Sequence, residues 1–321
     1  MRFLIVGAGA LGGYFGGRLL EAGQDVTFLL RPRRAAQLEK TGLIIKSTLG
    51  DVALPPPPYV LAEDLVKRSG VPFDVIIVGC KAYDLGQTME SFAAAVGPDT
   101  VILPLLNGMR HLDQLSQRFG QKHVLGGQCL ISAALNPDGI VMHLNDTHGL
   151  SFGELNGSNT DRIDALKAAF ADARFDGKAS AIILQEMWEK WVFIASAASI
   201  TCLMRATVGD IVSAGASDIV LSIFEEGSAI ALQNGFALRP AVAERGRSIL
   251  TAIGSPLTAS MFKDIARGAP IEADHIIGDL LGRSAVKNNG LSLLRVAYAH
   301  LKIYEVKRAR GAAEAVSLLS V

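Results

Sequence analysis

The sequence has few cysteines, few aromatic residues and no excess of either charge. Its three cysteines, Cys80, Cys129 and Cys202, form neither a CxxC nor a CxxH pair. This spacing excludes a disulfide framework and predicts buried thiols in a reducing compartment. The 6 histidines add no recognised metal-ligand spacing, so we expect no metal.

Net charge and long hydrophobic runs are also lacking. Lysine and arginine total 31 residues, as do aspartate and glutamate. A chain without a basic excess offers no electrostatic case for a nucleic-acid partner. Its apolar stretches are short and interrupted, and the N-terminus shows no signal-peptide cleavage region, so neither a membrane partner nor secretion is expected. We therefore expect a soluble, cytoplasmic protein.

Apolar residues, in contrast, make up 50% of the 321-residue chain, which is enough for two domains or one large domain. In the N-terminal half, short apolar runs alternate with helix-compatible segments, a pattern that predicts a doubly wound parallel sheet. The tetraproline at 55–58 predicts a rigid surface loop. The strands are predicted at 2–6, 25–30, 73–81, 100–108 and 123–132, with 139–146 and 149–155 closing the sheet.

After about residue 160 the strand signals end and helical periodicity replaces them. Ser255 is predicted to cap one helix, with Pro256 at its first position. The fold class is therefore α/β: a Rossmann-type sheet in 1–180, followed by an all-helical domain in 181–321. The helices are predicted at 161–173, 184–206, 217–234, 240–253, 256–267, 271–284 and 291–310.

The first strand leads directly into the stretch GAGALG, which contains Gly7, Gly9 and Gly12. The first glycine permits a tight turn, the second a close approach of a pyrophosphate, and the third close packing of helix and strand. A diphosphate there would lie at a helix N-terminus, where unpaired N–H groups favour negative charge. The pattern predicts dinucleotide binding; the alternative is a merely tight turn between strand and helix.

The second strand runs into Arg31-Pro32-Arg33-Arg34, with no carboxylate to accept from a ribose 2′-hydroxyl. Guanidinium groups suit a 2′-phosphate, so we expect NADP as the cofactor. The alternative is a solvated basic turn.

Several polar residues are candidates for chemistry. Lys81 and Asn107 follow predicted strands, where an open α/β sheet binds its ligands. Lys190 lies between two tryptophans in an apolar helix, so it is either a desolvated general acid or a lysine that extends to solvent. Ser260 and Glu272 are predicted on successive helices, where a surface hydroxyl and a helix-stabilising carboxylate are equally ordinary interpretations.

Taken together, GAGALGG, CKAYD, LLNGM, WEKWVF and SMFKDIARGAPIEADHIIGDLL resemble the 2-dehydropantoate 2-reductase (ketopantoate reductase) family over almost the full length. The resemblance implies hydride transfer from NADPH to a 2-oxo acid, in a cleft between a Rossmann domain and a helical domain. It implies Lys190 and Asn107 as catalytic residues, and Ser260 and Glu272 as substrate-binding residues. The implied cofactor-binding residues are Gly7, Ala8, Gly9, Ala10, Leu11, Gly12, Arg31, Lys81 and Asn107.

The sequence departs from the family pattern along the substrate-facing helix. Ile194 and Ala198, at substrate-binding positions, stand where asparagines are common, and Val208 replaces a third. Each lost hydrogen bond to a buried polar group costs roughly 1–3 kcal/mol, which would favour a less polar substrate. Ser196, Ser199 or Arg205 are candidates to compensate.

The expected reaction is NADPH-dependent reduction of 2-dehydropantoate to pantoate, in pantothenate biosynthesis. The alternatives are a reductase or dehydrogenase of a less polar 2-oxo or 3-hydroxy acid, or a non-catalytic NADP-binding sensor. The expected partner is a small-molecule 2-oxo acid. The apolar helices are compatible with a homodimer interface or with a core.

Overall fold

The computed structural model describes residues 1–67, 72–285 and 291–319. Among these residues, the chain divides into two compact units. Unit 1 comprises 1–107 and 111–184, and unit 2 comprises 108–110 and the described residues from 185 onward.

Unit 1 contains all the strands of the described residues, with helices between many of them. The strands are β1 Arg2–Val6, β2 Asp25–Leu30, β3 Leu43–Lys46, β4 Val52–Leu54, β5 Tyr59–Leu61, β6 Val75–Val78, β7 Val101–Pro104, β8 Gly126–Leu130, β9 Ala133–Leu135, β10 Val141–His143, β11 Gly149–Gly153 and β12 Asp176–Ala179. The helices are α1 Ala10–Glu21, α2 Pro32–Thr41, α3 Ala62–Lys67, α4 Leu85–Phe92, α5 Arg110–Phe119 and α6 Asp161–Phe170. Short 3₁₀ turns cover Ala82–Asp84, Ala93–Ala95 and Gln121–His123.

The principal sheet has five parallel strands in the order β5-β2-β1-β6-β7. Strands β6 and β7 are continuously apolar and buried, as expected for a parallel sheet covered on both faces. The strand order reverses between β1 and β6, which makes this point the topological switch of a Rossmann-type sheet. The predicted α/β fold class is confirmed.

Two details of the predicted sheet are wrong. The segments 139–146 and 149–155 do not close the principal sheet, because β10 belongs to the sheet β4-β3-β10-β9 and β11 to the sheet β12-β11-β8. Their short apolar runs looked like the other strands, but their antiparallel partners β9 and β8 hold them elsewhere. The strand within 123–132, β8, also lies in the sheet β12-β11-β8 and not in the principal one. In addition, β12 lies after residue 160, where no strand was expected. Its sequence, DGKA, has no apolar run that would predict a strand. The prolines at 55–58 connect β4 to β5 as an irregular loop, as predicted.

Among its described residues, unit 2 contains helices and connecting loops but no strand, as predicted. Its helices are α7 Ile183–Met204, which begins in unit 1, α8 Val208–Ser213, α9 Ser217–Gln233, α10 Pro240–Leu250, α11 Ser260–Ala266, a π-helical turn Asp274–Gly278 that continues into α12 Asp279–Gly282, and α13 Leu293–Leu319.

The helix predicted over 256–267 starts later than expected. It begins at Ser260, with Ala259 as its N-cap. Ser255 instead accepts a hydrogen bond from the Leu257 N–H at 3.3 Å, a local turn that competes with helix formation. The chain from 255 to 259 is therefore outside any helix, and Ser260 is the first residue of α11.

Candidate nucleotide-binding and catalytic residues

The glycine-rich turn between β1 and α1 has the backbone geometry that the sequence predicts. Gly7 has a φ of 85°, in the region that favours glycine, and its N–H donates to the Leu29 carbonyl at 2.9 Å. A side chain at Gly12 would collide with the Gly7 carbonyl oxygen, so only glycine fits there. Gly9, the N-cap of α1, faces open space. A helix start without a side-chain cap, facing open space, suits a phosphate group.

A cavity of about 640 Å³ opens beside this turn. Ala8 and Gly9 line it together with residues at the carboxyl ends of β2 and β6, among them Leu30 and Cys80. This volume lies in the range of small-molecule sites, and the position is the switch point where open α/β sheets bind ligands. The lining contains Arg31 and Arg34 together with Glu63 and Asp84. The volume, the glycine turn and the two arginines fit a dinucleotide.

The three arginines after β2 differ in their surroundings. Arg31 is exposed and forms an ion pair with Asp84, with Nη2 and Oδ2 3.2 Å apart. Arg33 is exposed on α2. Arg34 is partly buried and donates from Nε to the Ala8 carbonyl at 2.9 Å, and burial lowers the pKa of its guanidinium group. Both Arg31 and Arg34 line the cavity.

Lys81 and Asn107 lie at the same edge of the principal sheet. Val78 and Pro104 are paired in register on β6 and β7, and each candidate follows its paired residue by three positions. Both side chains are partly buried. Lys81 precedes the 3₁₀ turn, and its carbonyl accepts from the Asp84 N–H at 3.0 Å. Unit 1 thus brings these two candidates and the glycine turn to the carboxyl ends of its strands.

Lys190 lies on a partly exposed strip of α7 in unit 2. Its neighbours Trp188 and Trp191 are buried, and the Trp191 indole N–H donates to the Ile276 carbonyl at 2.8 Å. Ile194, one turn further along, is partly exposed, whereas Ala198 is buried. The surface that continues from Lys190 along this helix is therefore apolar.

Hydrogen bonds between their backbone and side chains of α7 hold the segments bearing Ser260 and Glu272 near this helix. The Ala259 N–H donates to the Thr201 hydroxyl at 3.3 Å, which fixes the start of α11, where Ser260 is exposed. The Glu272 carbonyl accepts from the Ile276 N–H at 2.9 Å, so Glu272 precedes its helix rather than lying in its first turn. Since Ile276 also binds Trp191, unit 2 gathers both segments against the helix that carries Lys190.

The polar residues considered as compensation along α7 have other roles. Ser196 is buried and donates to the Val192 carbonyl of its own helix at 2.8 Å. Ser199 is fully buried, and its hydroxyl has no hydrogen-bond partner among the described residues. Arg205 is exposed with a φ of 54° just after α7 ends. Val208 is buried, and its N–H donates to the Leu257 carbonyl at 3.0 Å, so its backbone positions the approach to Ser260.

Sequence reasoning missed the ion pair of Asp84 with Arg31 and the anchoring of Arg34. The available signal was the spacing of the arginines: Arg34 lies one helical turn after Arg31, so both can face the same cavity. No local pattern indicated that Asp84, 53 residues away from Arg31, would approach it.

The described residues contain no group of three or more histidine, cysteine, aspartate or glutamate side chains able to hold a metal ion. Nor does any helix in the described part of the chain have the length and apolar character to cross a membrane.

The fold and the glycine turn define a Rossmann-type protein with a helical C-terminal region. The family described as "Ketopantoate reductase PanE/ApbA" matches residues 3–157, and its C-terminal counterpart matches residues 182–305. The chain therefore belongs to this family of oxidoreductases.

Individual relatives agree with this assignment. "Uncharacterized oxidoreductase YkpB" of Bacillus subtilis (strain 168) is 38% identical, over 96% of this chain and 100% of that protein. A 2-dehydropantoate 2-reductase of Nostoc sp. is 25% identical, over 97% of each chain. The crystal structure of 2-dehydropantoate 2-reductase from Methylococcus capsulatus has a TM-score of 0.84 and 25% identity, over 96% of this chain and 98% of that one.

Proposed function

We propose that this protein is an NADPH-dependent reductase of a 2-oxo acid, with 2-dehydropantoate as the first candidate substrate and pantoate as its product. Two separate observations carry the proposal: unit 1 has an arginine-lined cavity at a glycine turn, and unit 2 has a lysine on an apolar helix strip. Membership of the ketopantoate reductase family supports the same reaction. In this proposal the protein acts in pantothenate biosynthesis in the cytoplasm.

The nucleotide is held by unit 1. The turn from Gly7 to Gly12 and the start of α1 bind the pyrophosphate, and Arg31 and Lys81 contribute positive charge. NADPH, when bound, supplies the hydride for the ketone carbon. The Asn107 amide offers both a donor and an acceptor, so it orients the nicotinamide carboxamide and the substrate oxygen.

The Lys190 ammonium group provides the proton and the positive charge that a developing alkoxide needs. A positioned acid of this kind accelerates a reaction by about 10²–10⁴. Ser260 donates to the substrate carboxylate, and Glu272 accepts from a substrate hydroxyl. A non-catalytic NADP-binding sensor would need neither Asn107 nor the three side chains of unit 2.

A second candidate substrate is a less polar 2-oxo or 3-hydroxy acid. The observation in its favour is the apolar character of α7 around Lys190. Ile194 is partly exposed there, and the Ser196 hydroxyl already donates to a carbonyl of its own helix. A substrate hydroxyl facing this strip would lose a hydrogen bond to water without gaining one, at a cost of about 1–3 kcal/mol.

Steady-state oxidation of NADPH against a panel of 2-oxo acids tests the proposal. Ketopantoate is expected to have a higher kcat/KM than simple branched 2-oxo acids; equal or lower values would transfer the assignment to the less polar class. The Ile194→Asn variant is expected to shift the ratio of these values towards ketopantoate. Ile253→Asn, at an exposed isoleucine elsewhere in unit 2, is the matched control and should leave the ratio unchanged. Absence of turnover across the panel would reject the reductase.

The proposed assembly is a homodimer. Light scattering coupled to size-exclusion chromatography tests it directly, since a mass near 34.0 kDa would indicate a monomer and contradict the proposal.

A further inference from the structure

The arginines at the end of β2 carry equal charges, but among the described residues Arg34 alone is both fixed in place and without a counter-charge. We propose that Arg34 is the main determinant of 2′-phosphate recognition in the nucleotide cavity, with Arg31 contributing less. This inference rests on the proposed binding of NADPH and names the residue on which the choice of cofactor depends.

Arg34 is held rigidly at the wall of the cavity. Its Nε donates to the Ala8 carbonyl in the glycine turn at 2.9 Å, and its Nη1 donates to the Gln37 side chain one turn along α2 at 2.7 Å. Gly139 passes directly beside it, and a side chain at that position would meet both Arg34 and Gln37. The guanidinium plane is therefore positioned before any ligand arrives, which reduces the entropy lost on binding.

The charge on Arg34 has no partner among the described residues. No carboxylate pairs with it there, and its Nη2 is a buried nitrogen without a hydrogen-bond partner. Burial is accordingly the influence that lowers its pKa. A buried charge without a counter-charge is costly in a folded protein. Because Arg34 lines the cavity, an anion bound there would supply the missing counter-charge.

Arg31 and Arg33 differ from Arg34 because both side chains are exposed. Arg31 already pairs with Asp84, and its side chain is 69% exposed, so a ligand must compete with both a carboxylate and water. Arg33 is exposed, and the cavity lining within the described chain includes Arg31 and Arg34 but not Arg33. Most of the discrimination should therefore come from Arg34.

A phosphate monoester is the anion that this position favours. The end of the second strand of a Rossmann sheet is where the adenosine ribose binds, and an arginine there accommodates a 2′-phosphate. A guanidinium group donates parallel hydrogen bonds to phosphate oxygens, which a ribose hydroxyl cannot match in charge. Arg34 meets this requirement at the wall of the cavity, next to the glycine turn.

The test measures calorimetric binding of 2′,5′-ADP and 5′-AMP to the full chain, since these probes differ only in the 2′-phosphate. The wild-type protein should bind 2′,5′-ADP more tightly. Arg34→Gln should reduce that preference by about tenfold or more, because it removes a charge-assisted hydrogen bond. Arg31→Gln should reduce it less, and Arg33→Gln, which removes the same charge from an exposed neighbour, should leave it unchanged.

A wild-type protein that binds both nucleotides equally would overturn the inference, as would an Arg31→Gln effect larger than that of Arg34→Gln. Equal weakening of both nucleotides by Arg34→Gln would also overturn it, since Arg34 would then only support the glycine turn. Thermal unfolding of each variant confirms that it is folded. The assay needs no turnover, so absence of 2-oxo acid reduction would reject the proposed function while leaving this inference standing.

Discussion

The two units carry their candidate sites in different ways. In unit 1 the glycine turn depends on the backbone: Gly7 adopts a φ that favours glycine, and Gly12 has no room for a side chain. In unit 2 the candidates are side chains on helices, such as Lys190 on α7 and Ser260 on α11. A substitution at Gly12 should therefore disturb the fold of unit 1, whereas substitutions at the unit 2 candidates can remove chemistry and leave the fold intact.

The sharpest test of this contrast is Lys190→Ala. If the ammonium group provides the proton, kcat should fall by about 10²–10⁴ while nucleotide affinity and thermal stability stay near wild type. Lys167→Ala removes an exposed lysine from α6 in unit 1 and should leave kcat unchanged. Stopped-flow oxidation of NADPH measures the effect, and nearly full activity in Lys190→Ala would remove this residue from the mechanism.

The converse experiment in unit 1 compares two glycines of one turn. Gly12→Ala forces a methyl group against the Gly7 carbonyl, and overpacking of this kind should lower the free energy of unfolding by about 3 kcal/mol. Gly9→Ala meets no atom within 4 Å, so it should keep the stability but weaken binding of NADP. Chemical denaturation and nucleotide titration separate the two effects. Equal stability of the two variants would contradict the steric argument.

The sequence predicted the parts of unit 1 that depend on local patterns. The glycine turn follows from residue spacing, and the central strands follow from continuous apolar runs such as VIIV at 75–78. It could not separate the three sheets, because the sheet that β8, β10 and β11 each join depends on the strands that pair with them and not on their own composition. Nor could it show the start of α11, where the Thr201 hydroxyl on α7 fixes the preceding backbone.

For the same reason, the site in unit 2 was predictable only as a set of residues. The family resemblance selects Lys190, Ser260 and Glu272, but how the segments that carry Ser260 and Glu272 lie against α7 depends on the hydrogen bonds at 259 and 276. Long-range contacts of this kind leave no mark on local periodicity. The same holds for Arg34, whose contact with Ala8 joins α2 to the glycine turn.

In unit 2, loss of a buried ion pair should lower the free energy of unfolding more than loss of an exposed one. The expected change is smaller than that for Gly12→Ala. Glu189 is buried and accepts three hydrogen bonds from Arg239. Burial raises the pKa of this carboxyl, but the hydrogen bonds from Arg239 and Gln185 outweigh burial, so the net pKa lies below its ordinary value of 4.5. Because the folded pKa is depressed, the stabilisation is present above that value and is lost as the pH falls through the folded pKa.

Arg239→Ala should lower the free energy of unfolding at neutral pH by about 2 kcal/mol, since it leaves a buried carboxylate without its main donor. The acid unfolding midpoint should move to higher pH. Arg247→Ala, which breaks an exposed pair with Glu225, should change the stability by no more than about 0.5 kcal/mol. Denaturation curves between pH 3 and pH 7, a range set by the ordinary carboxyl pKa, measure both variants. Unchanged acid midpoints would show that the pair does not stabilise unit 2.

The smallest predicted effect returns to the cavity of unit 1, where Asp84 is the internal anion that a 2′-phosphate must replace on Arg31. Asp84→Asn should therefore strengthen binding of 2′,5′-ADP by about two- to fivefold, the range expected when an exposed ion pair worth less than about 1 kcal/mol is removed. The Asp84 side chain makes no capping hydrogen bond to α4, so asparagine should not disturb the helix. Binding of 5′-AMP should change little, and added salt should diminish the gain. Weaker binding of 2′,5′-ADP would mean instead that Asp84 holds Arg31 in its binding orientation, in which case the pair acts with Arg34 rather than against the ligand.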